Sequence, residues 1–400
     1  MKKVLAIALA LVLALGALTG CGANNGGQEA SNNASQETSK QEQGEKSSSA
    51  NVSVAMITDY GDITDQSFNQ TTYEACKAFC ENAGIEFNYF KPGSNSDEDR
   101  ISMIEAAIDQ GYNVIVMPGY AFAPAIVATV EEYPDVTFIA LDVSEYDLQS
   151  AKGTEKDFSW KYPSNLYSAV YQEELCGYMA GYAAVKLGYT KLGFLGGMAV
   201  PAVIRYGFGF VQGADAAAVE LNLSDVEIKY AYGNQFYGDA DITAAMDTWY
   251  ADGTQVVFAC GGGIFSSAGE AAAKVGGKVI GVDVDQAATI DSLYGEGMTV
   301  TSAMKGLAAT VKTMLQVVVD GKFADYGGKV ENLGLVSETP SENYVQIAPS
   351  TQFADGFTEA DYNELVAKMF KGEITVSNET SGSAADFATV VTVIDQGNIK

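Results

Sequence analysis

Three aspartates, a lysine and two phenylalanines stand where an α/β chain commonly places its working groups. Asp59 closely follows the apolar run Val52–Ile57, Asp142 follows Val136–Leu141, and Asp283 follows Lys278–Val282. Lys305 follows Thr299–Ala303, and Phe236 lies in the loop after Val226–Tyr232. Gly196 and Gly197 follow Leu192–Leu195, and Gly261, Gly262 and Gly263 follow Gln255–Ala259. Carboxylates accept hydrogen bonds from ring N–H groups or vicinal hydroxyls, and an ammonium is a point donor. Phe236, paired with Phe68 near the start of a helical pattern, could sandwich a planar ring. A glycine-rich turn lets backbone approach a ligand closely. The set fits a small, neutral, partly flat ligand. Singly, each residue has a plainer use: an Asp after a strand caps a helix, and a lone Phe fills a core. Their shared address at strand ends favours a site.

Composition excludes other chemistries. The 400 residues include 23 Lys+Arg, 51 Asp+Glu and no His, for a formal net charge of -28. Without His there is no Ser-His-Asp triad and no imidazole proton shuttle. An acidic chain repels phosphate backbones, so nucleic acid is not an expected partner. The arginines are Arg100 and Arg205 alone. Gly276-Gly277-Lys278 lacks the upstream Gly and following Ser/Thr of a phosphate loop, and Gly207, Gly209 and Gly213 miss the dinucleotide spacing. Phosphorylated ligands and nucleotide cofactors are therefore not expected. Asp283-x-Asp285 is too small a ligand set to argue for a metal. Cys76, Cys80, Cys176 and Cys260 form no Cys-x-x-Cys pair and read as small buried hydrophobes.

The elements that must position these groups alternate. Val52–Ile57, Phe87–Phe90, Asn113–Met117 and Val136–Leu141 read as strands, separated by helical patterns at 66–83, 98–110 and 123–132. Leu192–Leu195, Val226–Tyr232, Gln255–Ala259 and Lys278–Val282 repeat the scheme, with helices at 202–220, 239–250 and 264–274. Continuous apolar strands suit parallel sheets buried on both faces. Two α/β lobes are expected: 51–165 plus about 303–320, and 166–302 plus about 321–350, with a C-terminal helix and tail at 351–400 left unassigned. Residues 152–167 break the pattern and read as a crossing. Ligands bind beyond the carboxyl ends of parallel strands, so the candidate residues converge on a cleft between the lobes.

The first fifty residues read as address and tether. Lys2 and Lys3 precede the apolar run Val4–Leu15, the layout of a secretory signal over residues 1–20. Gly22–Ala50 is almost wholly small and polar, with no apolar period to bury, so residues 21–50 are expected to be a disordered tether. Such a chain reaches roughly 30 Å. Leu18-Thr19-Gly20-Cys21 resembles the lipobox of bacterial lipoproteins, which implies lipidation of Cys21 and a cell-membrane location on the extracytoplasmic face.

Several motifs resemble the basic membrane protein family, lipoprotein substrate-binding proteins of ABC importers similar to the purine nucleoside receptor. They are Ile57-Thr58-Asp59 with Asp65-Gln66-Ser67-Phe68-Asn69-Gln70; Gly193-Phe194-Leu195-Gly196-Gly197-Met198 with Pro201 and Tyr206-Gly207-Phe208-Gly209-Phe210; Gly281-Val282-Asp283-Val284-Asp285-Gln286; and Thr301-Ser302-Ala303-Met304-Lys305. The resemblance spans roughly residues 52 to 376. It implies a type I periplasmic-binding-protein fold, two Rossmann-like domains with parallel sheets joined by a hinge. It implies that Phe68 and Phe236 stack on a base, that Asp59, Asn69 and Asp142 bind the base edge, and that Asp283 and Lys305 hold ribose hydroxyls. A monomer serving an ABC permease, with a nucleoside as cargo and no cofactor, is the resulting expectation. Phe236-Tyr237 offers two adjacent aromatics for one stacking role, and Ala259-Cys260-Gly261-Gly262-Gly263-Ile264 departs from the family's glycine turn. A sugar or small-signal receptor of the same fold, a surface regulatory lipoprotein, and a hydrolase using Asp59 and Asp142 as acid and base are the alternatives.

Overall fold

Alternate residues of each central strand are buried on opposite faces, and this determines the layering. In the strand Ser53–Ile57, Val54 and Met56 join one core cluster while Ala55 and Ile57 join another. A computed structural model describes residues 52–400. The expected signal, Cys21 and tether lie outside the described residues.

The first lobe begins with β1 (Ser53–Ile57), α1 (Phe68–Ala83), β2 (Glu86–Phe90), α2 (Asp97–Asp109), β3 (Val114–Pro118), α3 (Ala123–Thr129), β4 (Thr137–Leu141), α4 (Glu145–Lys152) and β5 (Leu166–Tyr171). The second contains α5 (Glu173–Lys186), β6 (Lys191–Gly196), α6 (Pro201–Leu221), β7 (Glu227–Tyr232), α7 (Ala240–Ala251), β8 (Val256–Cys260), α8 (Phe265–Val275), β9 (Lys278–Asp283), α9 (Ala287–Tyr294) and β10 (Thr299–Lys305). The chain then returns through α10 (Leu307–Val319), which packs on α1, and β11 (Lys329–Leu333). It crosses again to β12 (Val345–Ile347), α11 (Glu359–Phe370) and β13 (Thr392–Asn398). The sheet orders are β11-β5-β4-β3-β1-β2 and β12-β10-β9-β8-β6-β7-β13, parallel except for the β10–β12 pair. This is the two-lobed type I architecture.

The expected lobe boundaries need correcting at the end of β10, where residues 303–305 pair with β9 and β12 in the second sheet, and at two further strands. Residues 166–171 form β5 of the first sheet, paired with β4, and residues 329–333 pair with β5 in the same sheet. The first was hidden because Leu166–Tyr171 runs almost directly into α5, leaving no turn signal after it. The second is a half-exposed edge strand, Lys-Val-Glu-Asn-Leu, with no apolar run to reveal it.

Three crossings run side by side. The N–H of Gln172 donates to Leu333 O at 3.0 Å, Tyr344 N to Gly334 O at 3.1 Å, and Gly306 N to Tyr344 O at 2.6 Å. The first and third of these bonds tie different crossings together and the second closes the β11–β12 crossing on itself, which makes a narrow hinge.

The unassigned tail belongs to the second lobe. Asp215 on α6 accepts from the backbone N–H groups of Thr389, Val390 and Val391 and from the Thr389 hydroxyl. From there β13 runs parallel to β7 and covers its edge. The four cysteines are buried and free. Among the described residues, no helix is long and apolar enough to cross a membrane.

Candidate functional site

Residues at the carboxyl ends of both sheets line one cavity of about 550 Å³, a volume typical of small-molecule sites. Asp59, Phe68, Asn69, Asp142, Phe236, Gly262, Asp283 and Lys305 all line it. A broader groove of about 1120 Å³ lies on the first lobe beside α1 and α10, but its charged side chains are exposed and none of these residues reaches it.

On the first lobe, a polar chain fixes Asn69. Asp59 Oδ1 accepts from Tyr60 N at 2.6 Å, Gly61 N at 2.7 Å and Asn69 Nδ2 at 3.2 Å. The Asn69 amide also donates to Asp65 Oδ2 at 3.2 Å. Asp65 caps α1 itself, accepting from the N–H groups of Ser67, Asn69 and Gln70. Burial raises the Asp59 carboxyl above its ordinary pKa, and the N–H groups of Gly61 and Tyr60 partly offset the rise. Asn69 Oδ1 and Asp142 Oδ1 are buried with no protein partner.

Asp142 and Asp283 take the same conformation in the two lobes. Each lies where a parallel strand ends, with φ of 58° and 65°. Left-handed backbone is uncommon outside glycine and tends to mark functional turns. Between them sits the Lys305 ammonium, ion-paired with Asp142, 3.4 Å from Glu173 Oε1 and 3.7 Å from Asp283 Oδ1. It also lies 4.8 Å from the centroid of the Phe68 ring. Burial acts to lower its pKa, but the three carboxylates overcome this and hold it above the ordinary lysine value. Burial pushes Asp142 up to about 6, with Lys305 opposing and Glu173 adding to the rise.

The glycine turn seats Phe236. A Cβ on Gly197 would overlap the Phe236 ring, and one on Gly261 would come within 3.0 Å of it. Gly262, at φ 50°, would bring a Cβ to 2.8 Å from Phe236 O, and Gly263 N donates to that oxygen at 2.9 Å. Phe236 is thus held half-buried over the turn, whereas the neighbouring Tyr237 is 62% exposed.

Contacts between the lobes close the mouth. Ser67 Oγ donates to Asp283 Oδ2, Gln286 Nε2 donates to Gln66 O at 3.0 Å, and Thr289 Oγ1 to Gln66 Oε1 at 3.1 Å. The hydroxyl of Tyr60 meets Met198 Sδ at 3.5 Å.

Sequence reasoning missed Ser67, Glu173, Glu174, Arg205 and Tyr206. Arg205 Nε donates to Glu173 Oε2 at 2.7 Å, and Tyr206 OH to Asp283 Oδ1 at 3.3 Å. Helices α5 and α6 bring these together because Gly177 and Gly209 leave no room for a Cβ against the facing backbone. The available signal was a lone Arg beside Val203, Ile204 and Tyr206, and a Glu-Glu pair directly before Leu175 and Cys176, charges among apolar neighbours that must find partners.

The family model described as ABC transporter substrate-binding protein PnrA-like matches residues 52–376. The ABC transporter nucleoside-binding protein BmpA of Lactococcus lactis subsp. cremoris (strain MG1363) is 28% identical over 298 residues, covering 70% of this chain and 78% of that protein. Basic membrane protein B of Borreliella burgdorferi is 28% identical over 301 residues, covering 73% and 81%. A solved ABC transporter solute-binding protein from Aeropyrum pernix K1 shares the fold with a TM-score of 0.64 at 19% identity, over 82% of this chain and 94% of that one. Because the family match runs through both lobes and every strand that ends at the cavity, this chain belongs to the Bmp family of ABC transporter substrate-binding proteins.

Proposed function

We propose that this protein is a lipid-anchored extracytoplasmic receptor that captures a nucleoside, a purine one, between its lobes and presents it to an ABC permease. The observation that carries the reading is that Phe68 of the first lobe and Phe236 of the second line one cavity with buried, unpartnered acceptors beside them. A planar base stacks on the rings, its edge meets Asp59, Asn69 and Asp142, and the ribose lies toward Asp283 and Lys305. Gly262 serves by holding Phe236 at the wall. The name of the Lactococcus lactis relative as a nucleoside-binding protein supports the same cargo.

Capture is hinge closure and involves no bond chemistry. The ligand favours the closed state only through contacts it makes better there, and a base held by one ring from each lobe meets that condition. The lipobox-like Leu18-Thr19-Gly20-Cys21 supports anchoring through Cys21, with the body acting as a monomer at the cell membrane. Calorimetric titration with nucleosides, nucleobases and monosaccharides tests the cargo. Strong binding of a sugar with none of nucleosides would overturn it. Membrane fractionation of Cys21→Ser, which should release the protein from the membrane, tests the anchor.

A further inference from the structure

The family match stops at residue 376, and β13 lies beyond it. Because β13 runs parallel to β7, it points at the same sheet end, from which the loop 233–239 leaves with Phe236. Asp395 pairs with Tyr230 but Asn398 with Tyr232, so the tail spends one residue more than β7 over this stretch. Gly397 takes the left-handed φ of 65° at that irregularity. Past it, the N–H of Ile399 donates to Tyr232 O at 2.8 Å, and its side chain packs on the core cluster that holds Ala231 and Ile242.

Lys400 is thereby set against both flanks of Phe236. Before the ring, Asn234 Nδ2 donates to Lys400 O at 2.8 Å, and the Lys400 ammonium donates to Gln235 Oε1 at 3.5 Å. After the ring, the ammonium is ion-paired with Asp239 and lies 3.6 Å from Asp241 Oδ2. Gln235 joins the two flanks, its Nε2 donating to Tyr237 O and to Asp239 Oδ2, each at 2.9 Å. Asp239 spends Oδ1 on capping α7 and Oδ2 on Gln235 and Lys400. Lys400 itself is not among the residues that line the cavity.

We infer that Lys400 is a positioning residue for the cargo: through Asn234, Gln235 and Asp239 it holds the Phe236 loop in the geometry that stacks on a base. This rests on the nucleoside reading above and adds to it a residue outside the family match.

Two readouts test it. In the ligand-free protein, hydrogen exchange followed by mass spectrometry should quicken across 233–239 in Lys400→Met and stay unchanged across β8 and β9. Calorimetric titration with guanosine should find Kd raised about threefold in the same variant, the scale of one partly exposed ion pair, with Tm nearly unchanged. Lys400→Arg should restore both exchange and affinity. In a Phe236→Ala background, Lys400→Met should leave Kd where it is, because the lysine acts through that ring. Guanosine binding indifferent to Lys400, or exchange that does not change, would overturn the assignment and leave the nucleoside reading standing. An equal rise in Kd with and without Phe236 would overturn the route through the ring. Failure of guanosine to bind the unaltered protein would overturn the nucleoside reading and the lysine's role toward that cargo together.

Discussion

Ser67 Oγ donates to Asp283 Oδ2 at 2.6 Å, joining opposite lobes through residues 216 positions apart. Ser67 occupies the N-cap of α1, where its hydroxyl would ordinarily bond the helix's own first turn. Here Asp65 does the capping, which frees the serine to bridge the cleft.

Ser67→Ala should therefore weaken ligand binding more than it weakens the fold. The lost bond is worth roughly 1 kcal/mol, or several-fold in Kd. Calorimetry should record that loss with little change in Tm. Unaltered affinity would mean that the bridge does not stabilise the bound state.

Phe236 and Tyr237 separate by variant. Phe236→Ala should cost more than about 1 kcal/mol of binding, the scale of one aromatic stack, while Tyr237→Ala should change Kd little. Gly197→Ala should mimic the first, because its methyl enters the space of the Phe236 ring. The opposite ranking by titration would move stacking to Tyr237.

Stability should rise on mild acidification. Burial pushes Glu174 up to about 7 and Asp142 up to about 6. Unfolded carboxyls lose their protons near pH 4. Between about pH 4 and 7 the folded protein thus holds more protons than the unfolded chain, and stability falls as pH rises through this window. Tm of the ligand-free protein should be higher at pH 5.5 than at pH 8, and Glu174→Gln should shrink the difference. A profile rising toward pH 8 would contradict the assignment.

Lys305→Met should be severe. It strands Asp142, Glu173 and Asp283 around an apolar side chain. Removing one partner of a buried ion network costs about 3–5 kcal/mol. Chemical denaturation should show a loss of that size at pH 8 and a smaller one at pH 5.5, where the Asp142 carboxyl, pushed up to about 6 by burial, takes up a proton.

The tail gives a test outside the cleft. Asp215→Ala deletes the acceptor of four donors from residues 389–391. Limited proteolysis followed by mass spectrometry should then cut first within 378–400, leaving the two lobes intact. Equal resistance in both proteins would show that β13 alone holds the tail.

Much of this was readable in the sequence. The apolar strands and the rule that ligands sit at strand ends brought out Asp59, Asp142, Phe236, Asp283 and Lys305 without reference to any relative. Asn69 came only from the resemblance, because nothing in its spacing shows that two carboxylates orient its amide. Arg205 and Glu173 were missed because they sit within helices, and their meeting depends on the close packing of α5 and α6. The polar strands β11 and β13 carry no hydrophobic alternation, and their partners are settled by the edges they cover.

The most direct measurement is calorimetric titration of the purified protein with purine nucleosides beside monosaccharides, repeated on Phe236→Ala. Saturable one-to-one nucleoside binding that weakens in the variant, with no heat from sugars, is the predicted result. Sugar binding without nucleoside binding, or nucleoside binding indifferent to Phe236, would contradict the account.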